Sequence, residues 1–235
     1  MKQVILRGGS AVVEDVPAPV VAPNTILVRV AWSCLSPATE LATAATTSIG
    51  SALHRVVNEP DTLRKAFDIL QDRGLRHFSA LAHERISVGT SPGYSCAGTV
   101  IQAGRGGGGF MSGDRVACAG DQFAKHAEIV SVPAKLAVRI PNDVDFLSAS
   151  TVALGAIALQ GVRRAQANIG ELVGVIGLGL VGQLTVQILK ACSCRVFGID
   201  TDPVRVEHAT SFGLDAGAAD SQKAVEAAYR FSGCQ

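Results

Sequence analysis

The chain has 235 residues, 48% of them hydrophobic and 17% charged, with 21 basic side chains against 20 acidic ones. That apolar content suffices for one large domain or two modest ones and excludes a disordered chain. A net charge near zero gives no footprint for nucleic acid or an acidic membrane surface as partner.

The N-terminal stretch MKQVILRGGSAVVEDVPAPV reaches Arg7 after three apolar positions and lacks the unbroken apolar stretch of a secretory signal. Residues 1 to 40 then alternate β-rich runs with turn signals, in VILRGGS, PAPVVAPN and TILVRVAW, as an antiparallel barrel or sandwich does. From Pro60 the texture changes. Leu63, Ala66, Phe67 and Leu70 stand at helical spacing between Asp61 and the stop at Gly74, and a second short helix fits Leu75 to Arg85. Residues 41–89 are therefore expected as a helical insertion between strands. A second β-rich block runs from Gly98 to Ile140 through TVIQAG, DRVACAG, HAEIVSV and LAVRI. The run GRGGGGF, Gly104 to Phe110, has no Lys-Ser/Thr after it and reads as a hairpin turn rather than a phosphate loop.

After Pro141 helices and strands alternate. SASTVALGAIALQGVRRA reads as one helix or a pair, ELVGVIG as a strand, LVGQLTVQILKAC as a helix, RVFGID as a strand and DPVRVEHATSFG as a helix. A weak third strand over Leu214 to Ala219 and a helix over Gln222 to Phe231 follow. This is the pattern of a parallel sheet with crossover helices. The longest glycine-and-apolar run, Leu172 to Gly182, has 11 residues, short of the ~18 of a membrane span. The expectation is a soluble, cytoplasmic protein.

Six cysteines, at 34, 96, 118, 192, 194 and 234, contain no CxxC pair and are too scattered for a disulfide scaffold. Cys192 and Cys194 read as packed thiols at a helix-to-strand junction.

Gly177, Gly179 and Gly182 form a GxGxxG run between a predicted strand and a predicted helix. The first glycine allows a tight turn, the second lets a diphosphate approach the backbone, and the third lets helix and strand pack closely. The free amides at the helix start, around Leu180 and Val181, then face the phosphates. Asp200 ends the next strand, 18 positions past Gly182, where a carboxylate accepts hydrogen bonds from an adenosine ribose and repels a 2′-phosphate. NAD is thus expected over NADP. Arg205, five residues on, reads either as a phosphate partner or as a solvated helix residue.

The runs GAIALQGVRRA, GELVGVIGLGLVGQLTVQILKA and CRVFGIDTDPVRVEHATSFGLDAG resemble the cofactor domain of the medium-chain dehydrogenase/reductase family. TILVRVAWSCLS, GDRVACAG and FAKHAEIVSVPAKLAVRIP resemble its GroES-like domain. The resemblance implies an α/β plus β fold: a GroES-like β-barrel domain over 1–140, with the insertion at 41–89, followed by an incomplete Rossmann domain over 141–235, a doubly wound parallel sheet. SPATE at 36–40 and PGYSCAGTV at 92–100 further resemble the dehydrogenase half of bidomain oxidoreductases, which a Gfo/Idh/MocA-type half follows.

Zinc-dependent members of that family place a Cys, a His-Glu pair and a further Cys or acid at positions that fall here on Ser36, Gly93-Tyr94-Ser95 and Leu154. No thiolate, imidazole or carboxylate stands at any of them, so no zinc is expected. A weaker reading keeps a metal on Cys34, Cys96 and Glu40. Without a metal, a hydroxyl must serve the substrate oxygen, and the resemblance offers Ser36, Thr39 and Tyr94 as catalytic candidates. His126 reads as a satisfied surface or interdomain residue. His54, His77 and His83 have no partner cluster, and His208 sits on a remote helix.

A doubly wound sheet has strand order 3-2-1-4-5-6, and the sequence supplies strands 1, 2 and 3 before it stops. The expectation is a truncated Rossmann domain. The reading that follows is an NAD(H)-preferring, zinc-independent oxidoreductase acting on an alcohol, carbonyl or activated alkene. Its partner is a small-molecule substrate, with a homo-oligomer left open. A non-catalytic dinucleotide-binding sensor or docking module is the alternative.

Overall fold

The computed structural model describes residues 1–7, 10–37, 40 and 89–233, and the chain divides into two compact units, Met1–Val152 and Ala153–Gln235. The helical insertion expected over 41–89 lies outside the described residues but for Gly89, and so does Thr39.

In the first unit, β1 (Lys2–Arg7) and β2 (Ser10–Asp15) form an antiparallel hairpin. Strands β3 (Thr25–Ser33), β4 (Ser95–Ala103), β5 (Arg115–Ala119), β6 (Ile129–Pro133) and β7 (Ala137–Arg139) form an antiparallel sheet in the order β6-β3-β4-β5-β7. Period-two alternation puts Ile26, Val28, Val100, Val116, Val130 and Val132 into one buried cluster. Ala97 and Ala117 point to the opposite face. The run PAPVVAPN is no strand, because its three prolines remove ladder donors; β2 occupies SAVVED instead. The glycine run from Gly104 lies in the β4–β5 connection as a turn, with Gly106, Gly108 and Gly109 at positive φ.

Residues 141 to 152 pack on this first unit although their texture already looks helical. Val144, Phe146, Ala149 and Val152 cover Ala97, Ala117 and Ile140. Asp145 caps the short helix α1 (Phe146–Ala149) by accepting the Ser148 amide at 2.6 Å. The Arg115 guanidinium donates to the carbonyls of Pro141 and Val144 and lies 4.7 Å over the Phe146 ring.

The second unit contains most of α2 (Val152–Ala165), then β8 (Leu172–Ile176), α3 (Leu180–Ala191), β9 (Arg195–Ile199), α4 (Pro203–Ser211), β10 (Ala216–Ala218) and α5 (Ser221–Ser232). Its parallel sheet has the order β10-β9-β8, and among the described residues β8 has a neighbour on one side only. Gly182, Val186 and Leu189 recur on the buried face of α3 and meet Leu178, Val196 and Leu214. α3 closes through Ser193, held at φ 58 in the left-handed region that glycine usually fills.

Candidate functional site

The loop after β8 takes its shape from three backbone constraints. Gly177 sits at φ 90, a conformation other residues rarely adopt, and its amide donates to the Ile199 carbonyl at 2.7 Å. Leu178 is fully buried in the core, which anchors the loop from below. A Cβ on Gly182 would lie 1.9 Å from the Gly177 carbonyl oxygen, so only a glycine lets the first turn of α3 approach the loop this closely. The outer side is open: a Cβ on Gly177 or Gly179 would meet nothing within 4 Å. Gly179 is the N-cap of α3 and brings no side chain to cover the first-turn amides, among them those of Leu180 and Val181. An open glycine loop with backbone N–H groups at a helix start fits a diphosphate.

Asp200, at the end of β9, is 7% exposed and turned toward this loop. Its Oδ2 accepts the Leu178 amide at 2.7 Å and its Oδ1 accepts the Asp202 amide at 2.9 Å. The Asp202 amide, then the Leu178 amide, hold its carboxyl below the usual carboxylate range despite burial, and Arg205 adds to the effect. The Arg205 guanidinium stands 3.5 Å from Asp200 Oδ2 and 3.6 Å from Asp202 Oδ2, so its charge is shared by two carboxylates. Gln183 carries no mark in the sequence, yet it belongs to the site. Its Nε2 donates to the carbonyls of Leu178 and Arg205, both at 2.9 Å, and pins the glycine loop to α4. Nothing in its spacing singles it out; only the folded geometry does.

In the first unit, Ser36 is buried and Tyr94 half-buried. The Glu40 amide donates to the Ser36 carbonyl at 2.9 Å, and the Ser36 amide donates to Glu40 Oε1 at 3.3 Å. The Tyr94 carbonyl accepts the Gly120 amide at 2.9 Å. His126, expected as a satisfied surface or interdomain residue, has its partners within the first unit. Its side chain is 9% exposed, with Nε2 2.9 Å from Glu40 Oε1 and Nδ1 2.8 Å from Ser33 Oγ. It is satisfied, as expected. No local signal pairs it with Glu40, because 86 residues separate the two.

Cys34 is half-buried, and its thiol is pushed up by burial and then by the Glu40 carboxylate. Cys96 faces Cys118 across β4 and β5, both fully buried. Cys34, Cys96 and Glu40 do not gather: among the described residues no group of three or more His, Cys, Asp or Glu converges as metal ligands do.

No family model matches the sequence. The chain is similar to (R,R)-butanediol dehydrogenase of Bacillus subtilis (strain 168), 26% identical over 145 residues, which is 52% of this chain and 42% of that protein. An alcohol dehydrogenase of Geobacillus stearothermophilus is 28% identical over 112 residues, 45% of this chain and 33% of its own. Each match thus spans less than half of the relative's length. The fold is that of the quinone oxidoreductase from Thermus thermophilus, a protein also solved in complex with NADPH. The TM-score is 0.64 and the identity 22%, over 93% of this chain and 59% of that one. Both curated relatives are dehydrogenases by name, and the solved neighbour shares the fold of this chain.

Proposed function

We propose that the chain serves as an NAD(H)-preferring, zinc-independent oxidoreductase acting on an alcohol, carbonyl or activated alkene. The observation that carries the reading is the open glycine loop closed from beneath by Gly182 and tied by the Leu178 amide to Asp200. When bound, a nicotinamide cofactor supplies or accepts the hydride. The chain's own part is to seat the diphosphate on the amides that open α3. Each carboxylate oxygen of Asp200 offers two acceptor positions, so the carboxylate can hold the loop and still receive a ribose hydroxyl. Arg205 shares its charge between Asp200 and Asp202, at 3.5 and 3.6 Å, and Asp200 repels a 2′-phosphate, which supports NAD over NADP. Serine and tyrosine at Ser36 and Tyr94 support a metal-free site, with their hydroxyls, and that of Thr39, supplying the proton or hydrogen bond at the substrate oxygen.

The test is NADH oxidation by the full chain with 2,3-butanedione, 1,4-benzoquinone and crotonaldehyde, beside NADH binding by fluorescence. Turnover of one of the three supports the proposal. Binding without turnover of any leaves a dinucleotide-binding sensor in its place.

A further inference from the structure

We propose that Gln183 is a positioning residue for cofactor choice: it keeps Arg205 from a 2′-phosphate by fixing the first turn of α4 against the glycine loop. The inference rests on the dinucleotide-binding reading above. The Gln183 Nε2 donates to the Leu178 carbonyl and to the Arg205 carbonyl, both at 2.9 Å. One acceptor lies in the loop after β8 and the other in α4, so a single amide group clamps two elements together.

The clamp starts from a fixed base. The Gln183 amide donates to the carbonyl of Gly179, the N-cap of α3, at 2.8 Å. Gly182 beside it packs so close to the Gly177 carbonyl that no Cβ fits between them. Both Nε2 hydrogens are engaged, whereas Oε1 is buried and meets no donor among the described residues. A buried acceptor without a donor costs stability, and an apolar side chain of the same length would avoid that cost. Packing is therefore a weak reason for a glutamine here. The two carbonyl bonds are the stronger one.

What the clamp holds is the base of Arg205. The Arg205 side chain is 53% exposed, with its guanidinium 3.5 Å from Asp200 Oδ2 and 3.6 Å from Asp202 Oδ2, so pairing and not burial keeps it in place. Asp202 caps α4 by accepting the Val204 amide at 3.0 Å, and its own amide donates to Asp200 at 2.9 Å. Asp200 in turn accepts the Leu178 amide. The bond from Gln183 to the Arg205 carbonyl closes this ring of contacts and keeps the cation on the carboxylates that end β9 and open α4. Without it, the first turn of α4 can shift outward, and the guanidinium, whose forked donors suit a phosphate, can turn to a 2′-phosphate on the ribose beside Asp200. NADPH then gains an ion pair that NADH has no group to make.

The experiment measures Kd for NADH and NADPH by fluorescence titration of the full chain, with the melting temperature of each variant. Gln183→Met keeps the side-chain length and removes the donors; Gln183→Asn keeps the amide and shortens its reach. Both are compared with wild type and repeated in an Arg205→Ala background. In Gln183→Met the ratio of the NADPH Kd to the NADH Kd is expected to fall about three- to fivefold, the scale of an exposed ion pair. Gln183→Asn should move it the same way, and neither substitution should lower it once Arg205 is alanine. A clamp that only stabilises the fold lowers the melting temperature and weakens both cofactors alike. An unchanged ratio, or an equal fall in the Arg205→Ala background, overturns the inference and leaves the dinucleotide reading intact. Should Gln183→Met fail to fold, Gln183→Asn carries the same comparison. A wild type that binds neither cofactor removes the dinucleotide reading, and the role of Gln183 with it.

Discussion

The Leu178 amide donates to Asp200 Oδ2 at 2.7 Å, so the carboxylate that ends β9 holds the glycine loop that follows β8. Asp200→Ala leaves the buried Leu178 amide without this acceptor, a loss of about 1–3 kcal/mol by the usual cost of such a group. Thermal melting should show the destabilisation, and NADH affinity should fall at least about tenfold, or ~1.4 kcal/mol. An unchanged melting temperature would mean the contact does not hold the loop.

Gly182 and Gly179 predict opposite outcomes from the same substitution. Gly182→Ala forces a methyl against the Gly177 carbonyl and should cost about 1–3 kcal/mol of stability or more. Gly179→Ala meets nothing within 4 Å and should cost less than about 1 kcal/mol, yet it places its methyl in the cradle and should weaken NADH binding. Denaturant melts and NADH titration on both variants separate the two effects.

Asp215 accepts the Lys190 ammonium and the Val196 amide, joining the end of α3 to β9. Burial pushes its carboxyl up, but Lys190, the Val196 amide and Arg195 hold it below the ordinary range on balance. A carboxyl lowered by folding contributes stability above its unfolded pKa of about 3.9 and loses it as pH falls through the folded value. The gap in melting temperature between wild type and Asp215→Asn should be widest above pH ~5 and should close below pH ~4. A gap that grows on acidification would contradict the assignment.

Ser193→Gly should stabilise the chain by up to about 1 kcal/mol, because the serine holds φ 58 at the close of α3. Equilibrium unfolding in urea reads the gain directly.

Much of this was legible in the sequence because it rests on local rules. The glycine spacing and the apolar runs of β8 and β9 each act within a few residues of themselves. What the sequence hid depends on chain closure. The pairing of His126 with Glu40 and Ser33 leaves no mark in the sequence, because the two reach it only when the β3 end folds back beside the turn before β6. Gln183 gives no signal for the same reason. The prolines of PAPVVAPN do carry their signal, and they outweigh the valines that give the run its β-rich texture.

The central claim is that the loop from Gly177 to Gly182 seats a dinucleotide. Titration of the full chain with NADH, followed by fluorescence and repeated with NADPH, tests it most directly. The account predicts saturable binding of NADH, weaker binding of NADPH, and loss of both in Gly179→Val. NADH binding that is absent in wild type, or equally strong in Gly179→Val, would contradict it.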